Sequence, residues 1–214
     1  MKSVIKMFLV LFTLTSSVWA QGFSSASEGE QTFYFIDEMG RNQAVFYSEA
    51  PVESITGMSS KVDGSVTLDL TDLSDPEGKL FIPAASLKSG IDLRDEHLRS
   101  EGWLDAEKYP DISFEVKEIK NVKNVKDNLI EAEVVGDFTV KGVTKEVTAG
   151  ATLTFLEESE RTKSRVKRGG DLLGVKADFK INLSDYGVSN EVIGSKVAED
   201  IDVSVNVIGS NVKP

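Results

Sequence analysis

The only histidine of the chain, His97, lies in a short segment rich in charge. Its charged neighbours within residues 92–99 are Asp92, Arg94, Asp95, Glu96 and Arg99. A serine triad needs a histidine oriented by a carboxylate beside a nucleophile, and no Gly-x-Ser-x-Gly turn is present. Zinc sites usually combine two or more His or Cys ligands, whereas the chain has one histidine and no cysteine. The segment therefore favours a structural corner over a catalytic or metal site, and we expect no catalytic residue, metal or cofactor.

A short helix and a strand would position this corner. The helix is predicted near residues 95–102, with Asp95 capping its first turn. Residues 111–119 alternate apolar and polar side chains, which is typical of a half-buried strand. Between the two elements, Trp103 and Leu104 are expected to plug the apolar interior. The ion pairs expected here join Arg94 or Arg99 to Asp95 or Asp105.

The same alternation recurs along most of the chain. It is clearest in residues 64–70, 111–119, 150–157, 174–183 and 200–207. Each run places its apolar side chains on one face, as in antiparallel sheets. Glycine and Asn/Asp turn signals separate about eight to ten such strands, and long helices are hard to find. Since closing a large sheet removes its edges, the pattern predicts an all-β fold, an antiparallel β-barrel with one or two short helices at the barrel end.

Two stretches break the alternation. Residues 157–168 carry three glutamates followed by five basic side chains, and we expect a long hairpin tip there. A solvated loop and a basic finger for an anionic headgroup or partner are the two interpretations of that tip. A second short helix is expected within residues 189–195, although Gly194 weakens it.

The first 20 residues have the pattern of a secretory signal peptide. Basic Lys2 and Lys6 precede a short apolar run, and small residues lead to a predicted cleavage after Ala20. The run is shorter than the ~20 apolar residues that span a bilayer, which disfavours the alternative of a retained anchor. Residues 21–30 are expected to form a flexible leader and residues 31–210 the barrel domain. A cleaved chain with no further transmembrane segment would be periplasmic or secreted.

The charge balance limits the partners. The chain carries 24 Lys and Arg residues against 35 Asp and Glu residues, a formal charge of −11. Such a surface repels phosphate backbones, so nucleic-acid binding is not expected. The oligomeric state is open at this point, and a dimer is compatible with the sequence.

Four segments resemble the YceI-like family of secreted bacterial proteins. The segment "RDEHLRSEGWLDAEKYPDISF", residues 94–114, resembles the family's signature, an Arg-Asp-x-His-Leu-Arg box followed by an apolar pair, Lys-Tyr-Pro and a strand. The segments "FYFIDEMG" (33–40), "GDFTVKGVTKEVT" (136–148) and "NLSDYGV" (182–188) resemble three others in the family order. The histidines that family members commonly carry after the opening Ile-Asp and after the second strand are absent here.

The resemblance implies a lipocalin-like β-barrel of about eight strands that acts as a non-catalytic lipid carrier. Family members are regarded as binders of polyisoprenoids or other long amphipathic lipids, so the expected partner is a polyisoprenoid or an isoprenoid quinone held inside the barrel. Period-two patterning and the corner segment nominate the lining side chains: Phe114, Phe138, Leu153, Phe155, Phe179, Val205, Trp103 and Leu104. The candidates for the rim of the barrel are Arg94, His97 and Arg99.

Two other functional classes remain open on the sequence. One is a secreted protein-interaction or stress-response barrel without a dedicated lipid, which would show uniformly large inward side chains. The other is an isoprenoid-modifying enzyme, which would need two or more titratable groups converging in the cavity. Small residues expected on inward faces, such as Ala132, Ala149, Ala151 and Ala177, and the scarcity of titratable groups favour the carrier.

Overall fold

Ten β-strands and two short helices make up the described part of the chain. The structure is a computed structural model that describes residues 22–26, 28–37 and 39–214. The predicted signal peptide, residues 1–20, lies outside the described residues. The strands are β1 (Glu30–Tyr34), β2 (Gln43–Glu49), β3 (Ser54–Ser59), β4 (Asp63–Asp69), β5 (Glu77–Pro83), β6 (Asp111–Lys126), β7 (Leu129–Val140), β8 (Val143–Leu156), β9 (Leu172–Asn182) and β10 (Asp200–Ser210). The helices are α1 (Asp92–Arg99) and α2 (Glu160–Arg165), and 3-10 turns occupy Ala84–Ser86 and Leu183–Tyr186.

Antiparallel pairing closes eight of these strands into a barrel. The order is β1-β4-β5-β6-β7-β8-β9-β10, and β10 pairs back with β1 at Ser210 and Tyr34. β2 pairs with β10 along the same edge as β1, from Gln43 to Tyr47, and β3 pairs with β2. β2 therefore takes the place of β1 farther along the same edge of β10. The antiparallel barrel of about eight strands predicted from the sequence is confirmed.

A two-residue turn joins β7 to β8 where the sequence carries Gly142. Val140 pairs with Val143, and the two residues between them have φ values of 51° and 74°. Positive φ at both positions is type I′ geometry, whose twist suits an antiparallel hairpin. The ring of Tyr109 also leaves no room for a side chain, because a Cβ on Gly142 would lie 2.4 Å from Tyr109 Cε1. Glycine is required here both by the turn and by this close approach.

One end of the barrel is packed solid. The apolar side chains buried there are Phe23, Phe33, Leu70, Leu73 and Leu172. The backbone N–H of Phe23 donates to Leu70 O at 2.7 Å, and the Phe23 ring centroid lies 5.9 Å from that of Phe155. Phe23 belongs to the predicted flexible leader, yet only 2% of it is exposed, because its ring covers apolar side chains at this end.

The charged stretch at residues 157–168 joins the antiparallel pair β8 and β9, as expected of a long hairpin tip, but it contains the helix α2 where a solvated loop was expected. Ser159 caps the helix: its hydroxyl accepts from the Thr162 N–H, and the Thr162 hydroxyl accepts from the Ser159 N–H. The Arg168 guanidinium donates to the carbonyl oxygens of Tyr34 and Ile36 at 2.9 and 3.1 Å. These bonds tie the stretch to the C-terminal end of β1 and the residues that follow it.

Two further expectations about helices need correction. α1 begins at Asp92, with Ile91 at the N-cap, so Asp95 lies inside the helix and does not cap it. No helix forms at residues 189–195, where the backbone makes turns and a bridge between Ile193 and Val197. Neither described helix is long and apolar enough to cross a bilayer.

Candidate functional site

The barrel encloses a cavity of about 820 Å³. Its wall is formed mostly by the inward-facing Val, Ile, Leu, Phe and Ala side chains of the strands. Seven of the eight predicted lining residues border it: Phe114, Phe138, Leu153, Phe179, Val205, Trp103 and Leu104.

Phe155, the eighth predicted residue, does not border the cavity. It follows Leu153 on the same face of β8 but lies nearer the packed end. There it is 3% exposed and packs against Phe23. On β8 the cavity wall therefore includes Leu153 but not Phe155, whose inward side chain belongs to the core of the barrel.

A row of aromatic rings crosses one side of the cavity. The Phe179 ring lies 6.3 Å from that of Phe114 and 5.0 Å from that of Phe138, between centroids. Phe138 in turn meets Tyr186 edge to face at 5.8 Å. Edge-to-face pairs are favoured by the ring quadrupoles, so the row gives this part of the wall a defined shape.

Two glycines make room for rings of this wall. A Cβ on Gly136 of β7 would lie 2.5 Å from Phe114 Cζ on the neighbouring strand. A Cβ on Gly57 of β3 would lie 2.2 Å from Phe46 Cε1. Each ring therefore lies flat over a glycine, and a side chain there would push it into the cavity.

Polar wall residues gather at the other end of the barrel, which we call the mouth. Six of the eight polar wall residues lie at the mouth: Glu53, Arg94, His97, Ser100, Asn190 and Lys196. The other two are Ser48 and Ser113. The mouth residues come from the β2–β3 turn, from α1 and the turn after it, and from the β9–β10 loop. The Arg94 guanidinium forms an ion pair with Glu53 that joins α1 to the β2–β3 turn. The predicted pairing of Arg94 with Asp95 or Asp105 is therefore wrong.

The three candidates for the rim of the barrel lie on α1 but do not all face the cavity. Arg94 and His97 border the cavity, and Arg99 does not. The reason is helical spacing: residues 93, 94, 97 and 98 share the face toward the cavity, whereas Arg99 lies on the other side with Asp92 and Glu96. His97 is exposed, and it makes no side-chain hydrogen bond to the described residues.

Asp95 holds α1 in place from beneath. Its carboxylate accepts from the Ser89 N–H at 2.7 Å and from the Ser89 hydroxyl at 2.8 Å, and Lys88 Nζ lies 3.6 Å away. The backbone N–H of Ser89 in particular holds the pKa of Asp95 below its ordinary value of 3.8. This carboxylate, 2% exposed, is committed to structure, which supports the expectation of a structural corner.

Tyr186 stands behind the aromatic row. The residue is 2% exposed, and its hydroxyl has no hydrogen-bond partner among the described residues. Burial, with the nearby charge of Asp185, raises the pKa of Tyr186 to about 12. The phenol is therefore neutral under all ordinary conditions and contributes packing rather than acid–base chemistry.

No cluster of three or more His, Cys, Asp or Glu side chains suited to a metal ion occurs among the residues that the structure describes.

The basic side chains of residues 161–168 lie at the packed end, because α2 connects β8 and β9 on that side. They are thus separated from the mouth by the length of the barrel.

A family model described as a YceI-like domain matches residues 34–208. The chain belongs to the YceI-like family. It is 28% identical to a UPF0312 protein of Pseudomonas fluorescens over 212 residues, 98% of this chain and 100% of that protein. It is 27% identical to Protein YceI of Escherichia coli O6:H1 over 206 residues, 95% and 97% of the two chains.

Solved structures share the YceI-like barrel. The crystal structure of Burkholderia cenocepacia BcnA matches with a TM-score of 0.61 at 18% identity, over 80% of this chain and 98% of that one. A polyisoprenoid binding domain from Saccharophagus degradans, implicated in plant cell wall breakdown, matches with a TM-score of 0.60 at 12% identity, over 85% and 99%. At these identities the likeness establishes the fold.

Sequence reasoning missed part of the wall of this YceI-like domain. β2 and β3 contribute Ala44, Phe46 and Ile55, and the β9–β10 loop contributes Val188, Asn190, Val192, Lys196 and Val197. In β2 apolar residues follow one another from Ala44 to Tyr47, so alternation marks no inward face there. The loop has no periodicity at all, and only the fold brings it over the mouth.

Proposed function

We propose that the protein is a non-catalytic carrier for a long apolar lipid, a polyisoprenoid or an isoprenoid quinone, whose tail lies in the barrel cavity. The observation that carries the proposal is the cavity of about 820 Å³. Except for two serines, the polar side chains of its wall lie at the mouth. Burial of an isoprenoid tail in such a wall contributes about 0.8 kcal/mol for each CH₂-sized group. Ligand sites of this kind are apolar pockets with a few polar groups that orient one end.

The family gives independent support. The neighbour from Saccharophagus degradans is described as a polyisoprenoid binding domain, and it has the same barrel. This chain differs from it at most positions, so the likeness suggests the class of ligand rather than its identity.

The predicted signal peptide adds the periplasm or the exterior as the place of action, and an N-terminus at Gln21 in protein purified from its native cells would test that.

The arrangement of titratable groups favours binding over catalysis. The titratable wall residues within the described chain are Glu53, Arg94, His97 and Lys196, all at the mouth. Glu53 and Arg94 neutralise each other. If His97 acted as a general base, a carboxylate would have to orient it through a hydrogen bond. No carboxylate of the described residues makes such a bond. The reacting end of a lipid would therefore meet no paired acid and base.

The headgroup would rest among the mouth donors. The basic residues 161–168 lie at the opposite end and cannot serve it. The charge of Arg94 is offset by Glu53, which leaves Lys196 as the single Lys or Arg of the described mouth without an ion pair. We therefore favour a neutral headgroup. Affinity for a neutral isoprenoid should not fall as the Debye length shrinks to about 3 Å at 1 M salt. A steep loss of affinity with salt would instead indicate an anionic headgroup.

Mass spectrometry of organic extracts from protein purified from its native envelope tests the proposal directly, and a co-purified isoprenoid is the expected result. Binding in solution can be followed through Trp103, which lines the cavity and is the only tryptophan after residue 20. Val205→Phe should fill part of the cavity and weaken binding of a quinone. Ser204→Phe, on the outer face of the same strand, is the matched control. Equal binding by both variants would contradict a site inside the barrel.

A further inference from the structure

Three large apolar side chains beside the mouth face solvent. Val52 is 74% exposed, Leu93 61% and Ile91 50%. Ile91 and Leu93 also border the cavity, and Val52 precedes Glu53, which does so as well. These three residues, which we call the apolar rim, therefore surround one opening, and the apolar wall of the cavity continues onto the outer surface.

The distribution of exposed apolar side chains is uneven. Among the described large hydrophobic residues, four are at least half exposed, and three of these form the apolar rim, the other being Met39. Single exposed apolar side chains are ordinary on protein surfaces. A group of them around a cavity entrance indicates contact with an apolar partner.

We propose that the apolar rim inserts into the surface of a lipid bilayer, so that the cavity loads and releases its ligand there. This inference rests on the proposed function. A long apolar lipid resides in a membrane, and each CH₂ group that crosses water on the way to the protein costs about a fourfold factor in population. A mouth pressed against the bilayer removes that crossing, because the tail passes from lipid along Leu93 and Ile91 into the wall.

The charges of α1 suit this orientation. Leu93 and His97 lie one turn apart on the face that borders the cavity. The acidic Asp92 and Glu96 lie one turn apart on another face, directed away from the opening. The Arg94–Glu53 pair neutralises the charge between the rim residues. With a net charge of −11 the whole protein is repelled by anionic surfaces, so apolar insertion into a neutral bilayer is the expected mode.

The test compares the two ends of the barrel in vesicle binding. The vesicles contain equal parts of phosphatidylcholine and phosphatidylethanolamine, and the full chain is assayed by co-flotation. Leu93→Ser and Val52→Ser remove rim residues. Val125→Ser and Leu156→Ser, at side chains 44% and 43% exposed at the opposite end, are the matched controls. Each rim variant should bind vesicles about tenfold more weakly than the wild type, and the controls should be unchanged.

Transfer kinetics provide the second readout. The release rate of a pyrene-labelled isoprenoid alcohol to these vesicles should rise in proportion to vesicle concentration for the wild type, because release occurs on collision. Both rim variants should transfer more slowly, and Val52→Ser, whose side chain does not border the cavity, should bind the same probe in solution with unchanged affinity. Retained vesicle binding by the rim variants, equal losses in the controls, or a rate independent of vesicle concentration would overturn the proposal.

Two further outcomes separate this inference from others. A wild-type dimer in sedimentation that Leu93→Ser converts to a monomer would mean that a second copy covers the apolar rim. Failure of a folded wild type to bind the pyrene probe in solution would contradict the proposed function itself. Normal probe binding with no vesicle dependence would contradict only the docking of the rim.

Discussion

Phe138 and Phe179 meet edge to face inside the barrel, with ring centroids 5.0 Å apart and planes at 77°. They come from β7 and β9, which β8 separates, so the contact spans a strand. Such pairs contribute about 0.5–1.5 kcal/mol beyond the area they bury. A double-mutant cycle with Phe138→Leu and Phe179→Leu should give a coupling energy in that range by urea unfolding. A coupling near zero would show that the two rings contribute independently.

Gly136→Ala should destabilise the barrel and disturb the cavity. The new methyl group would lie 2.5 Å from both Phe114 Cζ and Glu115 O, so the ring and the adjacent strand must shift. Overpacking of this kind costs about 1–3 kcal/mol. Gly150→Ala on β8 is the matched control, since no atom lies within 4 Å of a Cβ there. Similar unfolding midpoints for both variants would contradict the close approach of Phe114 to β7.

Tyr186→Phe should leave the stability unchanged or raise it. The hydroxyl is buried without a partner among the described residues, and an unsatisfied buried polar group costs about 1–3 kcal/mol. The phenylalanine keeps the edge-to-face contact with Phe138. Tyr186→Ala, which removes the ring, should by contrast cost about 3–5 kcal/mol. A clear loss of stability in the phenylalanine variant would indicate that the hydroxyl is hydrogen-bonded in solution.

Asp95 should make the stability of the folded protein depend on pH. Its pKa is lower in the folded than in the unfolded chain, so its contribution is fully present above the unfolded pKa and is lost as pH falls through the folded one. Asp95→Ala should cost about 1.5–3 kcal/mol at neutral pH, because it leaves the Ser89 N–H without its acceptor. Below pH 4, the free energies of unfolding of Asp95→Ala and the wild type, measured with urea, should therefore become more similar. The exposed Asp92→Ala should stay within about 0.5 kcal/mol throughout.

His97→Ala and Trp103→Ala should separate charge from packing in the signature segment. The exposed His97 should change stability by less than about 0.5 kcal/mol and leave any assay on isoprenoid substrates unaffected. Trp103 packs against the core and borders the cavity, so its truncation should cost about 3–5 kcal/mol. Loss of a measured turnover in His97→Ala would favour an enzyme over a carrier.

Local pattern predicted much of the fold. Period-two runs such as residues 174–183 and 200–207 identified strands and their inward faces, and Gly142 marked the tight turn. The prediction failed where side-chain interactions decide the local structure. Ser159 and Thr162 cap a helix within a stretch that composition alone made a loop, and Asp95 accepts from Ser89 instead of capping α1.

The sequence by itself determined that this chain forms an antiparallel barrel of the YceI-like family with apolar inward faces. Only the tertiary structure decided where the barrel is empty. Leu153 and Phe155 share one face of β8, yet one borders the cavity and the other packs against Phe23. Alternation reports which face a side chain takes, but it carries no information about depth along the barrel axis. Nor could it pair Arg94 with Glu53, 41 residues apart, because that contact exists only once α1 lies over the mouth.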